Sequence, residues 1–134
     1  MQKLQNSLKV IVPTKNNDGR PFDYQVLIDS VTKLIGGCTV TNGNGYWFAD
    51  DGTKYIDAVK VAEFDSSQND STDISYIFNL IVKPLMLNYQ QLAVTMQVNN
   101  VTFILDTHDI VNPDETIRTL SRELYSTTTI KKAM

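Results

Sequence analysis

The sequence has few metal-binding residues and no long apolar run. Cys38 is its one cysteine and His108 its one histidine among 134 residues. A single cysteine excludes an internal disulfide framework and a multi-cysteine zinc site, and a single histidine excludes a multi-histidine zinc site. No stretch approaches the roughly 20 apolar residues of a membrane span, and the N-terminus lacks the apolar core of a secretory signal. We therefore predict a cytoplasmic protein with no cofactor, no metal and no membrane contact.

Basic charge is also scarce. The chain has 12 lysines and arginines against 15 acidic residues, a formal net charge of −3. General nucleic-acid binders need a basic footprint, so this balance argues against nucleic acid as a partner. The length is sufficient for a buried core, and we predict one α+β domain over residues 1–134. Residues 126–134 are predicted to form either a flexible tail or an additional edge strand.

The segment from Gly36 to Phe64 organises the rest of the chain. It begins with a Gly-Gly pair of the kind that ends a helix and continues with turn residues, aromatic residues and a valine-rich run. Glycine and asparagine tolerate the left-handed backbone conformations of turns, and an Asp-Gly pair favours a hairpin turn. The pattern predicts a short strand at 38–41, a turn at 42–45, an aromatic strand at 46–48, a second turn at 50–53 and a longer strand at 55–64.

Hydrophobic periodicity predicts the remaining elements. In chain order they are a strand at 8–14, a helix from Pro21 to Ile35, a polar loop at 65–72, a helix from about 73 to 92 that Pro84 kinks near Val82, a hairpin of 93–98 and 101–106 turning at Asn99-Asn100, and a helix starting at Asn112-Pro113 with Glu115 reaching back as a cap. The first six elements follow the ferredoxin-like β-α-β-β-α-β order, with helices on one face of an antiparallel sheet. The extra hairpin strand and the C-terminal helix are additions to that fold.

Several large apolar side chains are candidates for an interface. The second helix is apolar almost all round, which predicts burial on more than one face, and Phe78 lies on it. Phe103 lies on a strand with apolar residues on both faces, and tryptophan, here Trp47 beside Tyr46, is favoured at interface hot spots. These four residues are the predicted binding surface. The predicted occupant is a protein partner, a second copy of the chain, or both.

The glycine, tryptophan and Asp-Gly pattern also carries a family resemblance. Gly36-Gly37-x-Thr39-Val40 is followed by Gly43-x-Gly45-x-Trp47 and then by Asp51-Gly52 and Tyr55. Over residues 9–64 this resembles a group of small bacterial ferredoxin-like proteins of unknown function. The resemblance implies a fold and no activity.

Two other chemistries remain open. His108 lies between Asp106 and Asp109, and an imidazole beside carboxylates is a candidate general base; the alternative is a solvated loop histidine. Tyr46 and Trp47 also suit stacking on single-stranded nucleic acid, although no basic groove accompanies them. Cys38 follows a helix end rather than a helix start, so it is interpreted as a small buried residue.

The leading functional hypothesis is a non-enzymatic interaction module. No catalytic constellation is evident, and the small size and acidic surface also fit an accessory or inhibitor protein of a phage or mobile element. The alternative is a small-ligand sensor or enzyme that uses Asp106, His108 and Asp109.

Overall fold

A computed structural model describes residues 1–125 of the chain. In order, its strands and helices are β1 Asn6–Pro13, α1 Tyr24–Ile35, β2 Thr39–Phe48, β3 Lys54–Ser66, α2 Thr72–Ile77, a π-helical segment Phe78–Val82, α3 Lys83–Leu87, β4 Val94–Val98, β5 Val101–Leu105, α4 Thr107–Val111 and α5 Pro113–Ser121. The tail predicted for residues 126–134 lies outside the described residues.

The predicted α+β, ferredoxin-like architecture is confirmed. The five strands form one antiparallel sheet in the order β2-β3-β1-β4-β5. The first four strands have the arrangement of the split β-α-β motif, and β5 is the extra hairpin strand, placed at an edge. Helix α1 and the helical stretch from α2 to α3 contact each other on the core side, and the C-terminal α5 adds Leu120 to the core.

Alternation along the strands separates a core face from an open face. On β1 the side chains of Leu8, Val10 and Val12 are buried, whereas those between them are partly or fully exposed. Phe64 and Ala62, the β3 partners of Leu8 and Val10, are buried too. Because successive strand residues point to opposite faces, the other set of β1 and β3 residues faces away from the helices. That second set forms the open face of the sheet.

The turn predicted at residues 42–45 is wrong. Asn42 to Gly45 lie within β2, which runs without interruption from Thr39 to Phe48 opposite β3. Gly43 and Gly45 lie on the open face, and neither has the positive φ that a turn would require. The long β3 partner supplies the backbone hydrogen bonds that override the local turn preference. The one turn of this hairpin is at residues 49–53, where Gly52 adopts φ +86°.

The second long helix is interrupted where Pro84 was predicted to disturb it. Pro84 has no N–H to donate, and the five residues before α3 widen into a π-helical segment that begins at Phe78. Phe78 itself is completely buried in the hydrophobic core. Its place in the predicted binding surface is therefore corrected: the apolar character of this helix serves the core of the chain.

Other local predictions differ in detail from the structure. Asp23 is the N-cap of α1, where its carboxylate accepts from the backbone N–H of Val26. The β4–β5 hairpin turns as predicted, with Asn99 at φ 55°. Asn112 precedes α5, but its amide donates to the carbonyl of His108 instead of capping α5. Among the described residues, no helix combines the length and the apolar character needed to cross a membrane.

Candidate functional site

The β2–β3 hairpin extends beyond the rest of the sheet. Pairing of β3 with β1 ends at Val59, opposite Pro13, whereas its pairing with β2 continues to Lys54. Residues 44–48 and 54–58 therefore form a two-stranded ribbon, here called the arm. The arm carries most of the exposed aromatic side chains of the described chain.

The two faces of the arm differ in character. Register places Trp47 opposite Tyr55 and Gly45 opposite Asp57, and these four residues share the open face of the sheet. The helix-side face carries Tyr46, Phe48 and Ile56, all exposed, with the ammonium of Lys54 4.9 Å from the centre of the Tyr46 ring. The alternation of the strand thus puts Tyr46 and Phe48 on the face opposite Trp47.

Trp47 and Tyr55 form a stacked pair that also holds a carboxylate. Their ring centres are 4.3 Å apart and their planes differ by 14°. The indole Nε1 of Trp47 donates to Oδ2 of Asp57 at 2.9 Å, which fixes both the ring and the carboxylate. Half of the Trp47 surface and 42% of the Tyr55 surface remain exposed, so their outer ring faces are open to a ligand.

Two glycines of β2 lie beside this pair, and only Gly45 leaves bare backbone, because the side chain of Val59 fills the space above Gly43. A Cβ on Gly43 would come within 3.3 Å of the Cγ2 methyl of Val59, whereas a Cβ on Gly45 would meet nothing closer than 3.8 Å. Glycine inside a strand often marks a place where a ligand or another backbone approaches closely. Trp47, Tyr55, Asp57, Gly45 and Gly43 together are called the open-face site.

The open-face site is negatively charged. Asp57 is the one charged residue on the open face of the arm strands. Farther along the same face, Lys9 Nζ lies 3.8 Å from Glu63 Oε2. The opposite charges of this exposed ion pair offset each other. An aromatic face attracts a cation through the ring quadrupole, and a fixed carboxylate adds to that attraction. The arrangement suits a flat or cationic ligand better than an anionic one.

The predicted Asp106, His108 and Asp109 cluster is present, but its carboxylates are engaged. One ligand-type atom of each residue lies within 4.8 Å of the others. Asp106 accepts from the backbone N–H groups of His108 and Asp109, and Asp109 accepts in return from the Asp106 N–H at 2.9 Å. Asp109 also accepts from the hydroxyl of Thr116. This reciprocal pattern is a capping box, so the residues begin the short helix α4.

A second concave region lies at the other end of β2 and β3. This cavity of about 390 Å³ is lined by the end of α1, by Glu63 and Asp65, and by the start of α2. None of the described residues that line it is aromatic, and its buried Asp73 accepts from the hydroxyl of Ser66. Cys38 lines the same cavity, and burial raises the pKa of its thiol. It is called the acidic cavity.

The four residues predicted as a binding surface do not lie together. Trp47 belongs to the open-face site, Tyr46 lies behind it, Phe103 is partly buried against the core and Phe78 is inside it. Sequence reasoning did not join Tyr55 and Asp57 to Trp47. Period-two spacing links Gly43, Gly45 and Trp47, but the register of β3 was needed to complete the site.

No family model and no curated protein matches the chain. Among solved structures, it is similar to a phage SAM lyase in complex with S-methyl-5'-thioadenosine, with a TM-score of 0.56 and 14% identity over 81% of this chain and 96% of that one. The apo state of a phage SAM lyase gives a TM-score of 0.57 and 14% identity, over 80% and 95%. At this identity the similarity shows a shared fold. The prediction of a non-enzymatic interaction module is nevertheless corrected, because the proteins that share the fold almost end to end are enzymes.

Proposed function

We propose that the protein is a lyase that cleaves the carbon–sulfur bond of S-adenosylmethionine (SAM) and releases S-methyl-5'-thioadenosine. The observation that carries the proposal is the stacked Trp47–Tyr55 pair with Asp57 bound at the indole edge, on the open face of the sheet. The shared fold supports the same reaction class, but fold similarity is only analogy.

SAM offers the groups that this site suits. Its sulfonium is a soft cation, of the kind that binds over aromatic faces. Its adenine is flat and stacks on aromatic side chains. The outer ring faces of Trp47 and Tyr55 are available for the base or the sulfonium, and the bare backbone at Gly45 permits close approach.

The reaction balances with the substrate's own atoms. The bond from sulfur to the γ-carbon of the amino-acid chain breaks, and its electron pair stays on sulfur, which becomes the neutral thioether of S-methyl-5'-thioadenosine. A carboxylate oxygen of the same substrate forms a new bond to that γ-carbon and closes a five-membered lactone. No water, proton donor or redox partner is consumed. The protein therefore needs to fold the substrate into a reactive conformer and to keep water away.

The purified full chain incubated with SAM tests this proposal. We expect S-methyl-5'-thioadenosine and the four-carbon lactone to appear in equal amounts by mass spectrometry. We expect Trp47→Ala to lower kcat/KM by about 5- to 150-fold, since a stacking contact is worth about 1–3 kcal/mol. Unchanged SAM after prolonged incubation with folded protein would overturn the proposal.

A matched variant separates the site from the fold. Tyr46→Ala removes a similarly exposed aromatic ring from the opposite face of the same strand. We expect it to keep wild-type activity, and circular dichroism checks that both variants are folded. Equal losses in Tyr46→Ala and Trp47→Ala would argue against a site on the open face.

A further inference from the structure

We infer that the open-face site selects its ligand by positive charge and that Asp57 is the specificity-determining residue for methylated onium cations. The inference rests on the proposed function and deepens it by naming the property of the substrate that is recognised. Its basis is the position of one fixed carboxylate beside two exposed aromatic faces.

Asp57 is suited to this role by its surroundings. It is exposed and lies on the open face, where the arm strands carry no other charge. Its Oδ2 accepts from the indole N–H of Trp47, so the carboxylate is held at the edge of the ring over which a cation would lie. Lys54 and Lys60, each three residues from Asp57 on β3, both alternate to the helix-side face; Lys54 lies over Tyr46 and Lys60 donates to Asn42. Neither lysine forms an ion pair with Asp57.

The substrate loses its sulfonium charge during the reaction, and this loss determines which kinetic parameter Asp57 affects. The sulfonium charge is present in the bound substrate and disappears as the carbon–sulfur bond breaks. A carboxylate that attracts this charge therefore stabilises bound substrate at least as strongly as the transition state. Interactions that are not stronger in the transition state do not raise kcat. Asp57 should lower the KM for SAM and should not raise kcat.

Asp57→Asn tests the inference with little change in shape. The asparagine amide oxygen still accepts from Trp47 Nε1, so only the charge is lost. We expect the KM for SAM to rise up to about fivefold, since an exposed ion pair contributes up to about 1 kcal/mol, with kcat unchanged or higher. Affinity for neutral S-methyl-5'-thioadenosine should stay within about twofold of wild type. It is measured by fluorescence of Trp47, the one tryptophan of the chain.

Asp65→Asn is the matched control. It removes the same charge from the open face of the same strand, eight positions along β3, where Asp65 lines the acidic cavity. We expect it to leave the KM for SAM unchanged. If Asp65→Asn raises the KM and Asp57→Asn does not, the substrate binds in the acidic cavity and the inference is overturned. Equal small effects of both substitutions would show that Asp57 acts only through its long-range charge, and would overturn the inference as well.

A minimal probe distinguishes failure of this inference from failure of the proposed function. Trimethylsulfonium carries the charge without the nucleoside, and dimethyl sulfide is its neutral counterpart. We expect trimethylsulfonium to change Trp47 fluorescence in wild type but much less in Asp57→Asn, and dimethyl sulfide to have no effect. Binding of the cation without SAM cleavage would refute the lyase and leave charge selection intact. Cleavage of SAM with the same KM in wild type and Asp57→Asn would support the lyase and refute charge selection by Asp57.

Discussion

Asn99 Nδ2 donates to Oδ1 of Asn6 at 3.1 Å, which joins the β4–β5 turn to the first residue of β1 across 93 positions of sequence. The same amide donates to the carbonyl of Glu123, and Asn99 Oδ1 accepts from the N–H of Ser7. Asn6 is almost completely buried and also accepts from the N–H of Tyr125. This pair therefore ties three distant segments together at one end of the sheet.

Replacing Asn99 should destabilise the fold. Each of its three side-chain hydrogen bonds contributes about 1 kcal/mol, and alanine is disfavoured at φ 55°. We expect Asn99→Ala to lower the free energy of unfolding by about 2–4 kcal/mol in urea denaturation. Asn100→Ala changes the neighbouring exposed turn residue and should cost less than about 0.5 kcal/mol. A mild effect of Asn99→Ala would show that the network is dispensable.

Phe78 and Leu87 allow the stability cost of truncating a buried side chain to be compared with that of an exposed one on the same helical stretch. Its side chain is fully buried, whereas that of Leu87 in α3 is 65% exposed. We expect Phe78→Ala to lower the free energy of unfolding by about 3–5 kcal/mol and Leu87→Ala by less than about 0.5 kcal/mol. Thermal unfolding followed by circular dichroism measures both. If Phe78→Ala left stability unchanged, its burial in the core would be contradicted.

The two glycines of β2 should respond differently to the same substitution. A methyl group at Gly43 would meet Val59 at 3.3 Å, so Val59 must shift, and we expect Gly43→Ala to cost about 1 kcal/mol or more of unfolding free energy. Gly45 has ordinary contact distances, and Gly45→Ala should change stability by no more than about 0.5 kcal/mol. Chemical denaturation of the two variants, side by side, checks the ordering. The reverse ordering would contradict the register of β2 against β3.

Burial of Cys38 predicts a pH dependence at alkaline pH. Burial raises the pKa of its thiol above the ordinary value of 9.0, so the unfolded chain releases the proton first. The corresponding stability is complete below pH 9.0 and is lost as the pH rises through the pKa of the folded state. We expect a thiol reagent to label the folded chain with a more alkaline midpoint than the urea-unfolded chain. We also expect Cys38→Ser to lose this part of the alkaline slope; an identical slope in wild type and variant would contradict the prediction.

Most of the fold could be predicted from the sequence because the apolar residues of its helices and outer strands recur with one clear spacing in each element. The apolar residues from Tyr24 to Ile35 are spaced as on one face of a helix. Asn99-Asn100 form the turn between two short β-rich segments. Residues 42–45 could not be predicted in this way. Their local preference is for a turn, and only pairing with the thirteen-residue β3 keeps them extended.

The candidate site was only partly predictable for a related reason. Trp47 was identifiable by residue type alone, but its partners depend on which β3 residue lies opposite which β2 residue. A shift of one residue in register would send Tyr55 and Asp57 to the helix-side face. The His108 cluster shows the opposite case: its residues are adjacent in sequence, yet their carboxylates are used to begin a helix.

The arm has a consequence for local stability. Within residues 1–125 no third strand pairs with the arm beyond Val59, so its backbone hydrogen bonds are held by one partner strand. Isolated two-stranded ribbons are only marginally stable in water. The amides of the arm should therefore exchange with deuterium through local opening, much faster than those of the central strand β1. A ligand bound to the open-face site would slow exchange in the arm while changing the melting temperature of the core very little. Hydrogen exchange is thus the measurement most sensitive to occupancy of this site.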